Sequence, residues 1–196
     1  MARLQFPRVR LTGRQSELRD ELLELMLAEG FAHFTMDDLT VRLGCSKRTL
    51  YALAQSKEQL ATSIVRLFFK GATEYVEKQL QRARAPERRV VAYLTAVSEA
   101  LRPASREFLT DMADFPPTHE VYLANTAWAS MRIRELIQEG TAKGSFRDDT
   151  NAAFVSEIVS ATMKRIGSGS MQEATGLTDS EAYAQLAQLV VAAVKR

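Results

Sequence analysis

TMDDLTVRLGCSKRTLYALAQSKEQL, residues 35–60, is the stretch that decides the fold. Thr35 and Asp38 have capping-box spacing, in which a hydroxyl and a carboxylate satisfy free backbone N–H groups at a helix start. The helix they open is stopped by Gly44 after about eight residues. Ser46 can cap a second short helix over residues 47–53. Ser56 and Gln59 repeat the capping pattern and open a long helix over residues 57–84. Two short helices joined by a tight glycine turn form a helix-turn-helix. Leu39, Leu43, Leu50 and Leu53 then face inward, and Lys47, Arg48, Thr49 and Tyr51 face outward.

Cations and hydroxyls crowded on a helix this short ask for a polar partner. A helix fits the DNA major groove and meets base edges with its N-terminal residues. Arg48 can bond guanine bidentately, and Lys47 can reach a guanine or a phosphate. Thr49 and Tyr51 offer hydroxyls to phosphates, and the helix starts at Thr35, Ser46 and Lys57 offer backbone anchors. The candidate DNA-contacting set is therefore Thr35, Ser46, Lys47, Arg48, Thr49, Tyr51 and Lys57. Singly, Lys47, Arg48 and Tyr51 each read better as a solvated helix face. The reading rests on the whole pattern.

Outward from this stretch the chain reads as helix throughout. On the N-terminal side, residues 15–29 place Leu18, Leu22, Leu25 and Met26 on one face. Gly30 ends that helix, and Phe31 and Phe34 follow as wedges. Residues 1–13 form a basic arm with Arg3, Arg8 and Arg10, which can lie against phosphates or stand as a solvated tail. On the C-terminal side, Pro86 breaks the long helix and marks a domain junction. Helices follow over residues 87–102, from Ser105 to Phe115, over 118–143, from Asp149 or Thr150 to Ile166, and from a Thr178–Glu181 capping box to the C-terminus. GSGS, residues 167–170, reads as a flexible connector. The fold class expected is all-α. The division expected is an N-terminal three-helix DNA-binding domain over 14–60, a connecting fourth helix over 57–84, and a helical ligand-binding and dimerisation domain over 85–196.

Composition narrows the function. The chain has 196 residues, 46% hydrophobic and 26% charged, enough for a real core. A single cysteine, Cys45, excludes an internal disulfide framework and suits a reducing compartment. No apolar run approaches the ~18 residues of a membrane span, and no apolar segment follows the basic start, so cytoplasm is the expected location. His33 and His119 are the only histidines and lack helical metal-site spacing. No phosphate-cradling glycine loop is present. No catalytic residues, metal or cofactor are expected, although a Ser-His-Asp arrangement need not be local in sequence.

The run FTMDDLTVRLGCSKRTLYALAQSKEQL, with AEGF leading into it at residues 28–31, resembles the DNA-binding domain of the TetR family of bacterial transcriptional regulators. The resemblance spans residues 14–75, with a weaker echo in LIQEGTAKGSFR at 136–147. It departs at Ala54, where the family often has Phe, and at Arg48, where many members have a small residue. The resemblance implies an effector pocket in the second domain and a dimer formed by the last two helices. Tyr93, Phe108, Met112, Tyr122, Trp128 and Met131 are candidate pocket residues, since aromatic and methionine side chains line apolar sites as readily as cores. Arg102, Arg106 or Arg132 can pair with an anionic effector. Phe154 and Ile158 on one helix, and Tyr183, Leu186, Val190 and Val194 on the next, are the candidate dimer surface, or else pack on their own domain. The expected partners are double-stranded DNA, a small-molecule effector and a second copy of the chain, with no membrane. The expected function is a ligand-responsive repressor that binds a pseudo-palindromic operator as a dimer. The fourth helix would act as the lever between domains. The alternative is a helical ligand-binding protein, or an activator, with altered DNA recognition.

Overall fold

The computed structural model describes residues 13–196, so Arg3, Arg8 and Arg10 of the basic arm lie outside the described residues. Ten α-helices account for the described fold: α1 (Gly13–Glu29), α2 (Met36–Arg42), α3 (Lys47–Tyr51), α4 (Lys57–Leu80), α5 (Pro86–Leu101), α6 (Arg106–Asp114), α7 (Pro116–Ala142), α8 (Ala152–Gly167), α9 (Ser170–Thr175) and α10 (Asp179–Val194). The architecture is all-α. One isolated bridge, Phe146 with Lys195, pins the C-terminus to the turn after α7.

Two of the three predicted capping boxes form in both halves; at the third the Ser56 hydroxyl accepts from the Gln59 amide, but the Gln59 side chain accepts from the Gln55 amide instead. The Thr35 hydroxyl accepts from the Asp38 amide while the Asp38 carboxylate accepts from the Thr35 amide, and Thr178 and Glu181 do the same at α10. These hydrogen bonds hold the Asp38 and Glu181 carboxyls below their ordinary range. Their stabilisation is therefore present above the unfolded carboxylate pKa of about 4 and fades as pH falls through the lowered folded values.

Three local expectations are corrected. Pro86 acts less as a terminator of α4 than as the first residue of α5, as Pro116 is of α7, a position where a missing N–H costs nothing. The fourth helix ends at Leu80 rather than Arg84. GSGS is no flexible connector: α8 runs through Gly167, Gly169 turns left-handed, and α9 follows at once. Arg106 closes this corner by donating to the carbonyls of Ile166 and Gly167 at 3.1 and 3.2 Å and to Gln172 at 3.1 Å. Those carbonyls would otherwise be left bare at a helix end.

Two hydrophobic cores organise the packing. The first joins Leu22, Met26, Phe31, Leu39 and Leu50 to the stretch of α4 from Leu60 to Phe69. Phe108 and Met112 of α6 belong to it as well. Phe108 meets Phe31 and Phe68 edge-on, with ring centroids 5.7 and 5.2 Å apart. The second core takes Val76 and Leu80 of the same α4 and joins them to α5, α7, α8 and α10. Thus α4 crosses from one core to the other.

In the second core α7 passes so close to Phe146 that a Cβ on Gly140 would lie 2.1 Å from a ring carbon. Gly140→Ala should destabilise the protein by about 1–3 kcal/mol through overpacking. Gly71→Ala, at an α4 position with no neighbour within 4 Å, should instead stabilise it by roughly 0.5–1 kcal/mol. Urea unfolding of the two variants beside the parent checks both signs.

Candidate DNA interface and internal cavity

The helix-turn-helix is built as its sequence requires. Gly44 takes φ 56°, a left-handed conformation that reverses the chain after α2. The Cys45 amide then donates back to the Thr40 carbonyl at 3.0 Å. Leu39 and Leu50 are fully buried, while Leu43 and Leu53 are half-buried against the same core. Ala54, where the family often has an aromatic ring, is also buried in this core.

The candidate DNA contacts divide into committed and free groups. The Thr35 hydroxyl bonds Asp38 at 2.6 Å. Ser46 accepts from the Thr49 amide at 3.1 Å, and the two hydroxyls share a hydrogen bond at 2.8 Å. These three side chains hold helix starts, and the Thr35 and Thr49 amides are committed with them. Lys57 turns away from the predicted face, donating to the Ala32 carbonyl and lying 5.5 Å over the Phe115 ring. Lys47 reaches Asp37 at 2.7 Å, and that hydrogen bond raises its pKa. Both ends of this pair are more than 60% exposed, so a phosphate can replace the carboxylate. Arg48 and Tyr51 are exposed, and their side chains have no hydrogen bond or ion pair among the described residues.

Sequence reasoning missed Asp37 as the partner of Lys47. It missed Arg42 too, which pairs with Glu29 and lies 5.8 Å over the Phe34 ring. An acid in the first turn of α2 is the one local sign that a cation across the turn has a holder. Cys45 is half-buried, and desolvation pushes its thiol up.

A cavity of about 250 Å³ lies among α4, α5, α6, α7, α8 and α10. Tyr93, Met112, Tyr122 and Trp128 line it as expected. Phe108 does not: it is buried in the first core instead. Met131 points outward and is 57% exposed. Asn125, Ser160 and Tyr183 line the cavity without having been foreseen, because their neighbours come from distant segments. Burial raises the pKa of both Tyr93 and Tyr183. Arg132 binds Glu77 at 2.7 Å and Glu135 at 2.9 Å, so it is not free for an anion.

The candidate dimer surface splits in the same way. Phe154 and Ile158 are exposed on α8. Tyr183, Leu186, Val190 and Val194 are not surface residues: they are buried within the protomer's own second core. The α10 stripe was read correctly as apolar, but it is already covered from inside the chain. The exposed large apolar residue of α10 is Leu189.

Residues 18–64 match the family described as bacterial regulatory proteins, tetR family. Over 154 residues the chain is 29% identical to the HTH-type transcriptional repressor KstR2 of Mycolicibacterium smegmatis, covering 74% of this chain and 75% of that protein. Over 48 residues it is 50% identical to the uncharacterized HTH-type transcriptional regulator YvaF of Bacillus subtilis, covering 24% and 25% respectively. A transcriptional regulator from Saccharomonospora viridis, solved in complex with choline, shares the fold with a TM-score of 0.77. It is 17% identical, over 93% of this chain and 98% of that one.

The raised thiol of Cys45 gives a direct test. At pH ~8 its alkylation should be slower in the folded protein than in the urea-unfolded chain, where the thiol titrates near 8.5. The folded rate should catch up only at higher pH. Mass spectrometry of quenched time points measures both.

Proposed function

We propose that the chain is a repressor of the TetR family of bacterial regulatory proteins, one that grips a pseudo-palindromic operator as a dimer and lets go when a small molecule enters its cavity. The observation that carries this reading is α3. It is capped and braced on a buried leucine, and it presents Arg48 and Tyr51 unpartnered to the outside. Arg48 is assigned to base reading, and Lys47, exchanging Asp37 for phosphate, to backbone contact. The backbone amides at the starts of α2 and α4 are assigned to phosphates. The family's members are transcriptional regulators rather than enzymes, and no cluster of metal-ligating side chains occurs among the described residues.

A two-fold operator needs a two-fold protein whose recognition helices are one helical turn, ~34–36 Å, or a multiple of it apart. Phe154 and Ile158 of α8 and Leu189 of α10 are exposed and are assigned to the dimer contact. Among the described residues no helix is long and apolar enough to cross a membrane.

Release requires that the cavity speak to the helix-turn-helix. Two helices touch both. The fourth helix runs from Ser56 beside α3 to the cavity wall at Phe69 and Val76. The sixth lines the cavity with Leu109 and Met112 while Asp111 binds the connector after α1. A ligand that prefers one placement of these helices lowers operator affinity. By reciprocity DNA then lowers ligand affinity by the same factor.

Footprinting on the DNA upstream of the gene at two salt concentrations tests the reading. The expected result is a protected two-fold site. Arg48→Ala should cost about 1–3 kcal/mol and relax preference at one base position. Lys47→Ala should weaken all sequences alike and lower the salt slope by about one charge. Normal binding by both variants would remove α3 from the interface. In a second experiment, Phe154→Arg with Ile158→Arg should shift sedimentation from dimer to monomer, and operator affinity should fall with it.

A further inference from the structure

The cavity is the effector site of the proposed mechanism, and the inference here rests on that reading. Its inner part and its rim differ in kind. Val76, Tyr93, Met112, Ser160 and Tyr183 are at most 5% exposed and form the inside. Thr110, Asp114, Lys164 and Ser168 are exposed and form the rim. Asp114 and Lys164 are the only charged residues of the lining, and their charges are opposite.

Charges near the inside are already matched. Glu77, which acts electrostatically on Tyr93, is held by Arg132 at 2.7 Å. Asp179, which acts on Tyr183, lies 3.6 Å from Arg106. Arg106 is further committed to the carbonyls of Ile166 and Gly167. A carboxylate or ammonium carried into the inner part, past Asp114 and Lys164 at the rim, would therefore give up its hydration and meet no spare counter-ion there. That is the costly case for a buried charge.

Neutral donors, by contrast, are available. Tyr93 spends its hydroxyl on the Ala129 carbonyl at 3.3 Å. The Tyr183 hydroxyl has no hydrogen-bond partner among the described residues, and Tyr183 lines the cavity. Burial keeps that phenol protonated and able to donate. Ser160 stands likewise without a side-chain partner, unlike Ser156 one turn earlier, which donates to Ala153 at 2.9 Å. The volume of about 250 Å³ is small beside ligand pockets of roughly 300–1,000 Å³, which favours a compact molecule.

We propose that the effector is an uncharged, compact, mainly apolar molecule carrying a carbonyl or similar acceptor, which the Tyr183 hydroxyl binds. Tyr183 sets the specificity, and Trp128 and Met112 supply apolar wall.

Trp128 is the only tryptophan of the chain and lines the cavity, so its emission reports occupancy. Three matched bicyclic probes decide the charge question in the full chain: 2-decalone, decalin-2-carboxylate and the decalin-2-trimethylammonium ion. The expected result is a saturable change with 2-decalone, and binding at least about tenfold weaker for both charged probes. Tyr183→Phe should weaken 2-decalone roughly five- to twentyfold while leaving the melting curve of the free protein in place. Ser160→Ala should have a smaller effect. A charged probe that binds as tightly as the ketone overturns the proposal. So does undiminished ketone affinity in Tyr183→Phe, or silence from all three probes. Operator affinity is read in the same titrations. A charged probe that binds and releases DNA would end this inference and keep the effector reading. A ketone that binds through Tyr183 without moving operator affinity would keep the inference and end the effector reading.

Discussion

The arrangement of the two halves depends on one carboxylate. The chain leaves α1 at Gly30, and the amides of Phe31 and Ala32 have no helical carbonyl to meet. Asp111 of α6 accepts from both, at 2.6 and 2.7 Å. A charged acceptor with two amide donors makes the stronger kind of hydrogen bond. The Ser105 amide adds a 2.7 Å bond to the Leu27 carbonyl nearby. Phe108, one turn before Asp111 on the same helix, inserts between Phe31 and Phe68. The placement of the helix-turn-helix is thus set by a short helix whose next residue, Met112, already belongs to the cavity wall. Few atoms separate the two sites, and the intervening contacts are packed rather than loose, so a small displacement has little room to dissipate.

In the sequence α4 alone stands out as spanning the two cores; in the fold α6 spans them as well, with Asp111 on the connector after α1 and Met112 in the cavity wall. Ser105, Phe108 and Asp111 carry a local signal only in the first of them, which caps its own helix by accepting from the Phe108 amide at 3.1 Å. The roles of the other two come from partners some 80 residues away in the chain. The caps at Thr35, Ser46, Ser56, Ser105 and Thr178 were legible because both partners sit three residues apart. So was the glycine turn at Gly44.

What the sequence did not disclose is which apolar stripe meets which neighbour. The stripe of α10 was visible, yet Tyr183, Leu186 and Val190 face inward and Leu189 faces outward. Phe108 and Met131 looked equivalent as pocket candidates, but one is enclosed in the first core and the other is 57% exposed. Lys57 looked like a phosphate anchor at a helix start, but the nearby Ala32 carbonyl and Phe115 ring claim it. Each of these outcomes is decided by tertiary neighbours, which periodicity cannot name. The short α9 escaped for another reason. SMQEAT has no buried residue and therefore no stripe to read.

The passage of α4 through both cores bears on how such a chain can be recombined. Leu60 to Phe69 and Val76 to Leu80 belong to different interiors, yet they share one unbroken helix. No flexible linker separates reading from sensing. A graft of one protein's sensing half onto another's reading half must cut inside this helix or carry the whole of it. The first choice asks two foreign helix segments to continue in register. The second brings along one wall of a core shaped for someone else, and α6 brings Phe108 and Asp111 back across the seam. Exchange of parts within this architecture therefore has a matching condition at two places, and a chimera that respects only one of them would fold with its two halves misaligned.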